Sequence, residues 1–205
     1  MAPRYKASER EEALSETRSS LLNSAAEEFA REGFATANIN RISSSAGFAK
    51  GTIYNYFDSK RALMQALIDE TAEVHLEFVG EQVLQEDHPA RRLKRFFEAG
   101  FAFVTDHLPQ ARVMFTTLNG ADLEFKQRMA EAYAPMFQLV GRHILAAGIE
   151  RGIFRPVDLP TATALIMTLY LGAGSQLDEQ GRHYLAAKQV ADFALRALRR
   201  ESETQ

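Results

Sequence analysis

Apolar residues recur along this chain at intervals of three and four and nowhere in sustained alternation, so a helical period is written through most of it. The first stripe is Leu14, Leu21, Leu22, Ala25, Ala26 and Phe29, with Arg18 at its edge and Gly33 fitted to a helix C′ position. Ser8 and Glu11 have capping-box spacing at its start. Asn38 can cap a short second helix ending near Ser45. Ala46-Gly47-Phe48 reads as a turn, and residues 49–55 as a third short helix. Asp58 or Ser59 then caps a long fourth helix with the stripe Leu63, Met64, Leu67, Ile68, Thr71, His75, Phe78, Val79 and Val83. Further helical segments lie at about 90–106, 110–118 and 122–147. Pro109 and Asn119-Gly120 separate them, and Pro135 is expected to kink the last. After an irregular stretch at 148–160 come helices at about 161–177 and 182–200. Residues 1–7 and 201–205 are expected to fray. The pattern predicts an all-α protein of about nine helices.

Composition narrows the class. A chain of 205 residues with 46% hydrophobic and 25% charged residues can bury a real core in one large or two small domains. The 14 Phe and 6 Tyr need somewhere to pack, which excludes wholesale disorder. The absence of Cys excludes disulfides, thiolate metal sites and cysteine nucleophiles. No apolar run approaches the roughly 20 residues of a membrane-spanning helix, and the N-terminal residues lack a signal-peptide core. The expectation is a cytoplasmic protein with no membrane partner. His75, His88, His107, His143 and His183 have no metal-ligand spacing, and no phosphate loop, nucleophile elbow or dinucleotide fingerprint occurs. Neither an enzyme nor a bound metal or cofactor is expected.

Charge adds a local signal. The net charge is −3, yet residues 38–61 carry Arg41, Lys50, Lys60 and Arg61 against Asp58 alone. A small basic window on an acidic body is the electrostatic footprint of a nucleic-acid contact. It coincides with the two short helices around Gly47, a helix-turn-helix pattern in which glycine suits the positive-φ turn. Ile42, Ala46, Phe48 and Ile53 can lock the two helices onto the first through Phe29 and Phe34. The face left exposed then carries Lys50, Gly51, Thr52, Tyr54, Asn55 and Tyr56. These supply an ammonium for phosphate or guanine, an amide for adenine, hydroxyls, and bare backbone for close approach.

The run Gly51-Thr-Ile-Tyr54-Asn-Tyr56-Phe57-Asp-Ser59-Lys60-Arg-Ala-Leu63, with Gly33-Phe34 and Ile42 to Phe48 upstream, resembles the DNA-binding domain of TetR-family transcriptional repressors. The resemblance is specific over residues 33–63 and looser elsewhere. It departs from the family's usual Thr-Thr at Ala37-Asn38, and from its usual Ala at Ser43. It implies that Tyr54 and Lys60 bind phosphates, that Asn38 does so at the start of the second helix, and that Asn40, Arg41, Lys50, Thr52, Asn55 and Tyr56 face the major groove. It further implies a DNA-binding domain at 1–60 and a helical ligand-binding and dimerisation domain at 61–205.

Two features of the C-terminal part bear on that implication. Aromatic and large aliphatic or sulfur-bearing residues gather on its stripes: Phe97, Phe101, Met114, Phe115, Leu118, Tyr133, Phe137, Met167 and Tyr170. They read equally as core and as the lining of an apolar pocket for a small apolar or aromatic effector, with Asn119, Gln138, His143 and the Tyr133 hydroxyl as orienting polar groups. Gly100, inside a helix, leaves room either for a ligand or for close packing. The segment 161–177 is apolar nearly all round, which asks for a partner beyond one chain's core. A twofold mate is that partner, through Leu165, Leu169, Gly172, Val190, Ala194 and Leu198. The reading is a ligand-responsive repressor that binds operator DNA as a homodimer. Its rivals are a DNA-binding regulator without a small effector, and a small all-α enzyme or binding protein that kept a vestigial helix-turn-helix.

Overall fold

The structure, a computed structural model, describes residues 3–200, with side chains from Glu9 onward. Helices α1 (Pro3–Thr36), α2 (Ile39–Ser45), α3 (Lys60–Leu84), α4 (Pro89–Asp106), α5 (Leu108–Asn119), α6 (Leu123–Gln138), α7 (Ala147–Glu150), α8 (Leu159–Gly174) and α9 (Ala187–Leu198) follow in chain order. A four-residue 3-10 helix, Thr52–Asn55, precedes α3, and a π-helix, Leu139–Ala146, joins α6 to α7. Among the described residues the bridges outside helices are isolated: Phe154 with Arg199 and Leu177 with His183. The all-α class is what the chain adopts.

Two units can be described separately: Met1–Glu70 with Pro109–Arg128, and Thr71–Leu108 with Met129–Gln205. This partition differs from a cut at residue 60. Residues 61–70 and 109–128 pack with the N-terminal unit, and Phe125 is buried in it.

In the first unit Leu21, Leu22, Ala25, Ala26 and Phe29 of α1 are buried, as are Ile42, Ile53, Phe57, Leu63, Met64 and Leu67, and α1 packs against α2. Residue 8 lies inside α1, which already runs from Pro3, so Ser8 does not cap it. Of the ends expected to fray, Met1, Ala2 and 201–205 lie outside the described residues, and 3–7 belong to α1. Gly33 stops the regular helix with φ 77°, a left-handed value that glycine adopts without strain. Ser59 starts α3, its Oγ accepting the Ala62 N–H at 3.0 Å.

In the second unit α4 packs against α8, α9 and the π-helix, around Phe96, Phe97, Phe101, Ile144, Ile166 and Tyr170. Three boundaries differ from expectation. α5 begins at Leu108, so Pro109 stands in its first turn, where no amide donor is missed. Pro135 sits within α6, and the ladder widens to the π form only from Leu139. α9 starts at Ala187 rather than near 182, because Asp178 claims the preceding loop. Its Oδ1 accepts the N–H groups of Gln180 and Arg182, each at 2.9 Å, and Gly181 takes φ 79°.

Candidate nucleic-acid interface and ligand unit

The start of α2 is built on a buried carboxylate. Glu28, only 3% exposed, accepts the Asn38 N–H at 3.0 Å and pairs with Arg31 and, at 3.4 Å, with Arg41. Asn38 in turn caps α2, its Oδ1 accepting from the N–H of Asn40 at 2.9 Å and of Arg41 at 3.3 Å. A buried charge survives only where such bonds replace water. Glu28 thus fixes where α2 begins. The apolar stripe did not flag it, although its place between Ala26 and Phe29 was the signal.

After α2, Gly47 turns the chain at φ 83°, and the Phe48 N–H donates to the Ser43 carbonyl at 2.9 Å. The third helix expected at 49–55 is shorter: only Thr52–Asn55 is helical, and in the tighter 3-10 form. Gly51 at φ 91° sits just before it in the left-handed region, so residues 49–51 cannot extend the helix backward. The element is held by Ile53 and Phe57, both buried, while the Arg18 guanidinium lies 5.6 Å from the Phe57 ring centre.

Tyr54 and Asn55 are exposed on this element, and Lys50 is exposed in the turn before it. Gly51, Thr52 and Tyr56 are half-buried, and Asn40 is exposed on α2. Three residues expected at DNA are already engaged within the chain. Asn38 spends its oxygen on the cap and keeps its amide donors. Arg41 pairs with Glu32 at 3.1 Å as well as with Glu28. Lys60 donates to the carbonyls of Ala35 at 2.9 Å and Ala37 at 3.2 Å and lies 5.1 Å from the Phe34 ring centre. Its ammonium closes the end of α1 in the chain by itself, which helical periodicity could not reveal.

The residues expected to line a pocket are dispersed. Phe97, Phe101, Met167 and Tyr170 are buried in one cluster of the second unit, with Tyr133 against it. Met114, Phe115 and Leu118 belong to the first unit. Phe137 is 40% exposed, because the buried stripe at this end of the helix passes through Met136 and Val140. Asn119, Gln138 and His143 are exposed, which corrects their reading as orienting groups. Gly100 receives the Tyr170 ring: a Cβ there would stand 2.1 Å from its nearest atoms.

The polar centre of this core is His75. It is 1% exposed, stacks on Phe103 with ring centres 4.0 Å apart, and reaches the Tyr170 hydroxyl through Nε2 at 2.7 Å and the Tyr133 hydroxyl through Nδ1 at 3.4 Å. A neutral imidazole has one N–H and one lone pair, so one hydroxyl accepts from the ring and the other donates to it. Burial, and secondarily the charge of His107, pushes the His75 pKa down to about 3, while burial raises both tyrosines above their ordinary range. Its position inside the stripe of α3 was the clue in the sequence.

On α8 and α9 the face left open is apolar. Phe193 is 64% and Leu165 60% exposed, and with Val157 and Leu169 they line a cleft of about 600 Å³. Leu169 lines this cleft, and Gly172 lines the one beside it with Leu169 and Phe193. Val190, Ala194 and Leu198 do not project from it. They are buried within the chain, since the inner stripe of α9 packs on α4, and only the cleft floors touch them.

Residues 21–67 match the bacterial regulatory proteins of the tetR family. The chain is 25% identical over 147 residues to the fatty acid metabolism regulator protein of Bacillus subtilis, covering 71% of this chain and 75% of that one. It is 27% identical over 180 residues to the transcriptional repressor KstR2 of Mycobacterium tuberculosis, covering 82% and 89%. The solved structure of the regulator FadR from Bacillus subtilis in complex with stearoyl-CoA shares the fold with a TM-score of 0.76 at 21% identity, over 86% of this chain and 95% of that one. With a capped α2 and the glycine turn after it inside the matched segment, residues 21–67 are a DNA-binding segment of the tetR family of bacterial regulatory proteins, set in a chain that is helical over its remaining elements.

Proposed function

We propose that this chain is a ligand-responsive repressor that binds a pseudo-palindromic operator as a homodimer and is released by a small apolar or aromatic effector. One observation carries the DNA-binding half: the Glu28–Asn38 network and the two glycine turns hold α2 and the 3-10 helix while leaving Lys50, Tyr54 and Asn55 exposed. Those side chains are suited to phosphate and base edges. The open apolar face of α8 and α9 supports twofold pairing. The aromatic core around a polar trio supports an effector with a long apolar part and one polar group. Acyl-CoA thioesters are the first class to test, given the relatives' fatty acid regulation and the stearoyl-CoA complex.

A regulator without a small effector is the second reading. It is favoured by the closure of Tyr170 over Gly100, which fills space a ligand would use. Selecting a duplex from a random pool with the wild-type protein tests operator binding. Titrating acyl-CoA thioesters of increasing chain length against that complex tests release. An effector should raise the melting temperature and free the DNA over one concentration range, stabilising by about 2.7 kcal/mol at a hundredfold excess over Kd. DNA binding that no thioester or aromatic acid relieves supports the second reading. Failure to select any duplex overturns the proposal.

A further inference from the structure

We infer that Asp122 and Glu124 are positioning residues for the DNA-facing elements, acting through a latch on Arg61. The inference rests on the proposed operator binding. Arg61, in the first turn of α3, donates through Nη2 to Asp122 Oδ2 at 2.9 Å and through Nη1 to Glu124 Oε2 at 2.8 Å. Its guanidinium also lies 4.5 Å from the Phe125 ring centre and 5.8 Å from that of Phe34. The two rings meet edge to face at 4.9 Å. The second Glu124 oxygen takes the Gln65 amide at 2.6 Å, and Arg128 grips Asp69 at 2.7 Å one turn further along α6.

An exposed single ion pair contributes little. This one is forked over two carboxylates and stacked on aromatic rings, the arrangement in which a guanidinium holds geometry. Apolar packing does not do the same work here. A cleft of about 150 Å³ lies among Phe29, Phe34, Met64, Thr117 and Phe125, so the aromatic contact is incompletely filled. The charged clasp fixes what the rings leave loose.

The latch leads to the interface in short steps. Phe34 is clasped between Phe125 and the side chains of Lys60 and Arg61. Lys60 holds the carbonyls of Ala35 and Ala37, and the next residue is Asn38, the cap of α2. Residues 122–125 therefore set the position of the segment that aims α2.

The test uses the full chain and the duplex selected above. Asp122→Asn with Glu124→Gln removes two negative charges without changing shape. If the acids matter only through bulk charge, DNA affinity rises. If they position the interface, affinity falls about five- to tenfold with the salt slope unchanged, and amide hydrogen exchange quickens at residues 38–42. Exchanging the charges, Arg61→Asp with Asp122→Arg, should restore both readouts to within about twofold of wild type. Unchanged or tighter binding together with unchanged exchange at 38–42 overturns the latch. Should the wild type select no duplex, the exchange measurement still decides the latch while the operator reading falls alone.

Discussion

The Tyr170 ring packs so closely on Gly100 that a Cβ at that position would stand 2.1 Å from its hydroxyl oxygen. The glycine inside α4 is therefore a seat for an aromatic ring. Gly100→Ala should gain about 1 kcal/mol of helix propensity and lose about 1–3 kcal/mol to overpacking, lowering the melting temperature. Adding Tyr170→Leu should remove the overpacking, so that Gly100→Ala costs less in the Tyr170→Leu background than in wild type, although Tyr170→Leu is itself destabilising because it strips His75 Nε2 of its hydroxyl partner. A more stable single variant would show that the ring moves freely.

Neutral His75 gives folding a pH dependence. Its folded pKa is about 3, against about 6.5 for an unperturbed histidine. Between those values the unfolded chain binds a proton that the folded chain refuses. The contribution is complete above about pH 6.5 and is lost as pH falls, at up to about 1.4 kcal/mol per unit. Denaturant midpoints from neutral pH downward should fall more steeply for wild type than for His75→Asn. Parallel slopes would contradict a buried neutral imidazole.

Ser43 is fully buried in α2 and its hydroxyl finds no partner among the described residues. Ser43→Ala removes that unpaired group and should stabilise the fold by about 1–2 kcal/mol in chemical denaturation. A loss of stability would mean the hydroxyl is satisfied in solution.

Lys50 and Lys60 should behave differently. Lys50 is exposed, so Lys50→Ala should weaken every DNA sequence alike and lower the salt slope by about one unit, at unchanged melting temperature. Lys60 closes the end of α1, so Lys60→Ala should lower the melting temperature as well as DNA affinity. Asn55→Ala should cost about 1–3 kcal/mol of discrimination at one base pair per half-site. Binding across a panel of single-base operator variants reads all three.

Phe193 separates dimerisation from folding, because its side chain is mostly exposed in the single chain. Phe193→Lys should leave helicity and melting intact at low concentration and shift the sedimenting mass to the monomer. A variant that remains dimeric would move the interface elsewhere.

The amino-acid sequence by itself determined the helical class, the glycine turns at 33 and 47, the Asn38 cap and the basic window, because these depend on spacing within a few residues. It also fixed which faces are apolar. It did not determine which apolar face meets its own chain: Val190, Ala194 and Leu198 turn inward while Phe193, on the same helix, stays out. Only the packing of α9 on α4 decides that. Nor could periodicity foresee that Gly51 would shorten the third helix to a 3-10 turn, or that Lys60 and Arg61 would be engaged by carbonyls and carboxylates distant in sequence. The His75 trio joins three helices, and its neutral imidazole is a consequence of desolvation. Burial of a polar group is a property of the neighbours that surround it, and those neighbours are brought together only by the tertiary fold.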